Sequence, residues 1–495
     1  MILEIIVAIF LAWGILLYAV KKKGGEHFSL IGPLIMWKTE KGKKLVDRIA
    51  KYRAWKTYGD ISIIIVSIAM ILTTWLVIRS VYLSFKIKHA ISPRLIIGLP
   101  GINPVIPIGY GIVAIALAII FHEFSHGILA RVAKIKINSL GLLFLILPVG
   151  AFVEPDEEKL MEEKRIKRAR VFAAGPSTNI IIAIVSILLL AIIFSPAITP
   201  KENGVIVGTS VENIPAWSMI TNIDGHSIHN IQSFNEIVSN FQAGKQYNIT
   251  YMHDGKTING KYVHGIIVSA IVKDSPAEKN GIKAGCVIYE INGEKMNNIS
   301  IFQNFMNSTN ENEKINISYY YHGSFNNITI TLADKYAFTH DKNDKGKGFI
   351  GVEAVDVETL SKFNLIVMPS YFANLYNPFK TNFFVFVSLP FHGLSPFPKE
   401  LVTLYNVPVA TIFWPLLNFI YWIFWLNFAL GTFNALPALP LDGGYIFKDG
   451  ISWLAEKMRY KKYEKLAAYI SSAVSYIIII AIFAMILIPN IRAML

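Results

Sequence analysis

The sequence predicts a polytopic α-helical membrane protein of about six crossings, interrupted by an inserted β-rich module. Three observations carry this. Hydrophobic residues make up 53% of the 495-residue chain and charged residues 16%, with a mean hydropathy of +0.45. Apolar runs recur at the length a helix needs to cross roughly 30 Å of hydrocarbon at about 1.5 Å per residue. The stretch 196–360 breaks that pattern: it has thirteen lysines, no arginine and seventeen acidic residues, and its apolar positions alternate.

Ile2–Val20 is the first expected crossing. Lysines follow its apolar run, so it reads as an anchor with an outside N-terminus rather than a cleaved signal peptide. Ile61–Ile78 runs outward, Pro107–Val132 returns, and Val171–Phe194 runs out again. About Ala410–Ala435 comes back and Leu466–Ile488 exits. This alternation places three basic clusters on one face: eleven Lys/Arg in residues 21–60, nine in 131–170 and six in 445–465. The positive-inside rule makes that face cytoplasmic. The formal net charge of +13 therefore belongs to short loops. No basic stripe accompanies a nucleic-acid reading motif, so no nucleic-acid partner is expected. Two apolar segments fit no crossing. Leu140–Val153, interrupted by Gly and Pro, reads as re-entrant or strand-like, and Pro369–Leu404, broken by five prolines, as a surface-lying or re-entrant return.

The expected organisation is an N-terminal anchor helix and basic cytoplasmic loop (1–60), a first part of the membrane core (61–200), an extracytoplasmic module (201–335), a linker and amphipathic or re-entrant return (336–404), and a second part of the core (405–495). The insert, about Asn203 to Val355, alternates as strands do in Lys314–Tyr321 and Asn327–Leu332. It also holds a weak internal repeat. Gly204–Ala216 followed by Ile223–Gly225 is echoed by Gly265–Ala277 followed by Asn280–Gly285 and Glu290–Gly293. Both copies resemble PDZ domains of the protease-associated kind; the first lacks a counterpart of Asn280–Gly285, and Cys286 stands where that family usually has Asp. A generic β-rich spacer is the plainer alternative. Five N-x-S/T sequons, at Asn248, Asn298, Asn307, Asn316 and Asn327, fit an outside location but arise readily in an Asn-rich segment.

The chemistry lies in the third crossing. His122-Glu123-Phe124-Ser125-His126 is H-E-x-x-H. Two histidines four apart share one helical face, so both imidazoles can bind one zinc, with the glutamate beside them as base for a water. Ionisable groups at membrane depth are expensive and are functional candidates by default. The single cysteine, Cys286, excludes an internal disulfide and a Cys-type zinc site, leaving nitrogen and oxygen ligands. A third ligand is needed. Glu154–Glu158 reads as a solvated loop. Asp442 is the better candidate: Pro437 and Pro440 end a helix, Gly443 and Gly444 admit close backbone approach, and topology brings the carboxylate to the depth of His126.

Three motifs, F-H-E-F-S-H-G at Phe121–Gly127, A-G-P-S-T-N at Ala174–Asn179 and N-A-L-P-A-L-P-L-D-G-G at Asn434–Gly444, resemble those of the site-2 protease family of intramembrane zinc metalloproteases. They occur in family order around a PDZ-like insert. G-I-N-P at Gly101–Pro104 and G-A-F-V-E-P-D-E-E at Gly150–Glu158 are similar to its archaeal and eukaryotic branch. The resemblance implies cleavage within the transmembrane segment of membrane-anchored substrates, after a first cut by another protease. It implies one Zn2+ per chain on His122, His126 and Asp442, Glu123 as general base, and Asn179 near the active site. Asn434 is a further candidate for supporting the site, although Asn179 could equally serve as ordinary interhelical glue and Asn434 could only satisfy backbone groups freed by the prolines. The competing class is a non-proteolytic PDZ scaffold with a structural or absent metal. An intact glutamate beside the first histidine argues against it.

Overall fold

A computed structural model gives the fold. It describes residues 2–493 apart from 24, 26, 88–91, 96, 97, 99 and 146; the side chains of residues 2–10, 23, 31, 40, 41, 145 and 147–149 also lie outside the description. The chain divides into two compact units, residues 1–190 with 414–495, and residues 191–413.

Among the described residues, five helices are long and apolar enough to cross a membrane: Ala54–Ser84, Ile108–Val132, Arg165–Ala197, Ala410–Asn434 and Tyr463–Arg492. They match the second to sixth expected crossings. The first, Ile2–Val20, falls in a helix over Ile2–Lys23, and the side chains of residues 2–10 lie outside the description. The outward faces of these helices are apolar, as Ile64, Ile71 and Ile78 on one and Ile477, Ile480 and Phe483 on another illustrate. Such faces are stable against lipid rather than water. Most of the helices outrun their apolar runs. Ala54–Ser84 begins seven residues early, and Arg165–Ala197 begins six early with a basic turn. Ion pairs hold these ends: Arg170 to Asp60 at 2.7 Å, Arg168 to Asp449 at 2.9 Å, and Arg165 to Glu456.

The apolar segment Leu140–Val153 is strand, not helix. Strands β1 (Phe28–Ile31), β2 (Leu34–Lys38), β3 (Ile137–Leu145) and β4 (Leu147–Pro155) form one antiparallel sheet in that order, with β4 at its edge. A Cβ at Gly141 would lie 1.7 Å from the Trp37 carbonyl oxygen, so glycine is what lets β2 and β3 approach. Strand β4 packs along the H-E-x-x-H helix. There Gly127 faces Val153 closely, 3.2 Å from a Cβ built on it.

In the second unit the repeat is real. One sheet runs Lys256–Val263, Gln246–His253, Ser218–Ile223, Val205–Val207, Ile366–Val367; the other runs Ser324–Thr331, Lys314–Tyr321, Val287–Ile291, Ile266–Ile271, Val352–Val355. The strand order is the same in both. Gly204 and Gly265 serve alike, since a Cβ on either would strike the carbonyl oxygen of Ile220 or Ile288 at 2.4 and 2.6 Å. Asn230 and Asn298 cap the equivalent helices, Ile231–Val238 and Ile299–Ser308. The second copy is nested inside the first, whose closing strand comes last. Both closing strands lie beyond residue 335; Val352–Val355 falls at the end of the insert as read to Val355, and Ile366–Val367 falls outside it, since strands of four and two residues carry little periodicity. The copies differ before those strands. The second has Gly348-Phe349-Ile350-Gly351, with Gly351 at φ +86°, whereas the first has the helix Val357–Lys362, whose Val357 and Leu360 are buried in the first core.

Candidate metal centre and active site

The H-E-x-x-H helix, Ile108–Val132, has apolar residues all round and buries His122 at its core-facing side. The next crossing lies against it, and the polar contacts between them are specific. Ser125 and Thr178 share a 2.7 Å hydrogen bond, and Tyr58 reaches Ser177 at 3.0 Å. Ser177 donates to Ser62 at 2.7 Å. These bonds satisfy hydroxyls that water cannot reach.

Asp442 comes from the other end of the chain. Asn434 ends one helix, Pro437 and Pro440 occupy the connection, and Asp442 is the first residue of a second helix, Asp442–Lys457. It opens a helix rather than closing one, which the sequence reading did not foresee. Gly443 and Gly444 lie against the backbone of Ala435, Leu436 and Ala438, where a Cβ would come within 2.3–2.7 Å.

These elements bring His122, His126 and Asp442 together. The Asp442 Oδ2 atom lies 3.2 Å from His122 Nε2 and 3.3 Å from His126 Nε2, and one donor atom from each residue falls within 4.8 Å of the others. Nitrogen and oxygen donors about 2.0–2.1 Å from one tetrahedral ion would lie about 3.3–3.4 Å apart, which both Asp442–His distances match, and the donor types are those zinc takes. His126 Nδ1 donates to the Val171 carbonyl at 2.7 Å, which leaves its Nε2 lone pair aimed at the centre. His122 Nδ1 is buried with no partner among the described residues. Gly175 walls the centre: a Cβ there would sit 2.4 Å from His126 Nε2 and 2.6 Å from His122 Nε2.

Glu123 is not one of the three converging donors and turns toward β4. Its Oε2 accepts from the Val153 N–H at 3.2 Å, so the carboxylate rests on the edge of β4. Asn179 is fully buried and donates to the Ala118 carbonyl at 3.4 Å; its Oδ1 has no partner among the described residues. It also packs against Gly431, 3.1 Å from a Cβ built there. Asn434 turns its amide back onto the Leu430 carbonyl of its own helix at 3.1 Å. Sequence reasoning missed Gly175, the Val171 carbonyl and the Val153 amide. A helical glycine reads as packing, and backbone groups carry no signature at all.

The chain matches peptidase family M50 over residues 110–478. The chain belongs to that family. It is 30% identical over 285 residues to an uncharacterized protein of Methanocaldococcus jannaschii, covering 54% of this chain and 73% of that one. It is 23% identical to a putative zinc metalloprotease of Pasteurella multocida and 22% identical to the regulator of sigma E protease of Haemophilus influenzae. These matches cover 49% and 50% of this chain and just under two thirds, 65% and 66%, of those relatives. This M50 member is thus a multi-pass membrane metalloendopeptidase of the site-2 protease type with an inserted β-rich module, and the metal of its family is zinc.

Proposed function

We propose that His122, His126 and Asp442 hold one zinc ion per chain and that Glu123 is the general base for hydrolysis of a peptide bond in a transmembrane segment. The carrying observation is the convergence of two imidazoles and a carboxylate within 4.8 Å in the apolar unit. Zinc bound there supplies Lewis acidity to the scissile carbonyl and acidity to a water. Glu123 takes the proton from the attacking water and passes it to the departing amine. The Val153 N–H keeps that carboxylate beside β4. Asn179 supports the packing around the site.

A transmembrane helix hides its carbonyls in hydrogen bonds, so a substrate must unwind before it reacts. The edge strand β4 is the natural receiver. By strand alternation, Ala151 presents its N–H and C=O on the same edge as Val153, where an extended segment can pair. Crosslinks from Ala151 to a bound substrate are expected, and their absence would remove β4 from the account.

The centre lies toward the cytoplasmic face in this reading. Gly175 is five residues, about 7 Å, along the helix from Arg170, which belongs to a basic cluster. The insert follows the opposite end of that crossing and is extracytoplasmic. Its second copy recruits trimmed chain ends or filters bulky ones at the edge of Val352–Val355, while in the first copy the helix Val357–Lys362 fills the corresponding place. The name of one relative, regulator of sigma E protease, supports a regulatory use of cleavage, and a first cut by another protease is what the family resemblance implies.

The test is Glu123→Gln in purified protein reconstituted with a membrane-embedded helix. Zinc content should be unchanged and cleavage should fall by about 10²–10⁴-fold. Equal cleavage by both forms would remove Glu123 from the chemistry. No cleavage and no zinc in either would favour a scaffold.

A further inference from the structure

Residues 363–398 contain eight phenylalanines and no acidic residue in thirty-six positions. The stretch holds four helical turns, Pro369–Asn374, Phe383–Ser388, Leu389–His392 and Lys399–Val402, and within it Phe372, Phe386, Leu389, Phe397 and Leu401 are buried. Five of the eight phenylalanines are exposed by more than a third, and three of these stand within 369–404 with at least half their surface open. Phe379, Phe384 and Phe391 are 72%, 57% and 51% exposed, a cost the segment would carry needlessly in water.

The segment is fastened to the crossing Arg165–Ala197. Buried Asn377 donates to the Ala191 carbonyl at 3.3 Å, within the wide turn Leu190–Phe194, where the helical hydrogen-bond ladder loosens. Ser195 donates to the Ala373 carbonyl at 3.2 Å. Phe194 meets Phe413 with ring centroids 5.3 Å apart, and Thr199–Pro200 pairs with Tyr405–Asn406. Tyr405 donates to the Pro369 carbonyl at 2.7 Å, closing the circuit. Ala191 is twenty-one residues beyond Arg170, about 31 Å along the helix, which is about the thickness of the hydrocarbon core. The fastening points therefore stand at the edge of the bilayer opposite the basic cluster.

We propose that residues 369–404 form an interfacial membrane-binding element, with Phe379, Phe384 and Phe391 inserted at the boundary between headgroups and acyl chains. Lipid is the occupant the observations favour. The hydrogen bonds set the depth, aromatic side chains suit that boundary, and Lys380 stands beside exposed Phe379 with Glu400 the one acidic residue of 369–404, at its far end from Phe379. The insert is then rooted on the lipid surface at its C-terminal end.

Full-length protein in vesicles of phosphatidylcholine and phosphatidylglycerol tests this with spin labels at Phe379→Cys, Phe384→Cys and Phe391→Cys, and at His322→Cys on an exposed hairpin turn as the aqueous control. Cys286 is buried, and unsubstituted protein serves as the labelling blank. Collisions with dioxygen should exceed those with a water-soluble nickel chelate at the three phenylalanine positions, and the order should reverse at His322. Nickel dominating at all three would overturn the proposal. Protection from both reagents would also overturn it, by showing that a second copy or another protein covers the patch.

Discussion

In the membrane unit, His122, Ser125, Ser177 and Asn179 are buried within a few turns of one another, each on a helix that also carries a run of apolar residues. In the insert, the two β cores are mostly Val, Ile, Phe and Tyr, and many polar side chains serve as caps and turn formers, with Ser218 and His264 among the few buried ones. Close glycine contacts divide in the same way. Gly175 is pressed against two imidazoles, whereas Gly204 and Gly265 are pressed against neighbouring strands. The contrast teaches where change should be felt as chemistry and where as stability. A buried polar group in the first unit has no water to replace its partner, while the insert tolerates loss at its edges.

The largest effect that would break this comparison is at Gly175. Gly175→Ala places a methyl where both Nε2 atoms converge, so zinc content and cleavage should fall together, cleavage by at least about 10²-fold. Near-normal zinc and activity would mean that the space beside the imidazoles is not needed. Removing residues 201–367 is expected to act on selectivity instead. Hydrolysis of a short embedded helix should persist, and substrates with bulky uncut external domains should become cleavable; unchanged selectivity would refute the filter.

The smallest effect sharpens the insert's side. Burial pushes the Glu212 carboxyl up to about 7, against the Val263 N–H that favours its ionised form. The folded state therefore holds this proton more tightly than the unfolded chain, where the group titrates near 4.5. Between those values the native state binds more protons, so this group lowers stability as pH rises from about 4.5 to about 7, and the loss is complete above that. Glu212→Gln keeps an acceptor for Val263 and should raise the insert's thermal midpoint at pH 8 but not at pH 4, by an amount corresponding to roughly 1–3 kcal/mol. Equal midpoints at pH 8 would mean that the carboxylate is effectively solvated.

Much of this was legible from residues alone, for identifiable reasons. H-E-x-x-H is readable because four residues return a helix to the same face, and five crossings are readable because lipid demands long apolar runs. The strand Lys314–Tyr321 has the bounds its alternation predicts. Asp442 was reachable only through topology and family resemblance, since 320 residues separate it from His122. The nesting of the two β copies was not legible. Its closing strands are too short to show a period, and Val367 pairs with Ile206 across an entire inserted module. Pro369–Leu404 showed its awkwardness in its prolines, but its attachment to Ala191 depends on an asparagine amide and a loosened turn that no composition reveals.

The most direct measurement is zinc per chain in purified protein carrying Asp442→Ala, with His122 and His126 intact. The account predicts near one zinc per chain for the unsubstituted protein and a loss of most of it in the variant, because two imidazoles alone leave the ion a protein ligand short. Stoichiometric zinc retained by folded Asp442→Ala protein would contradict it.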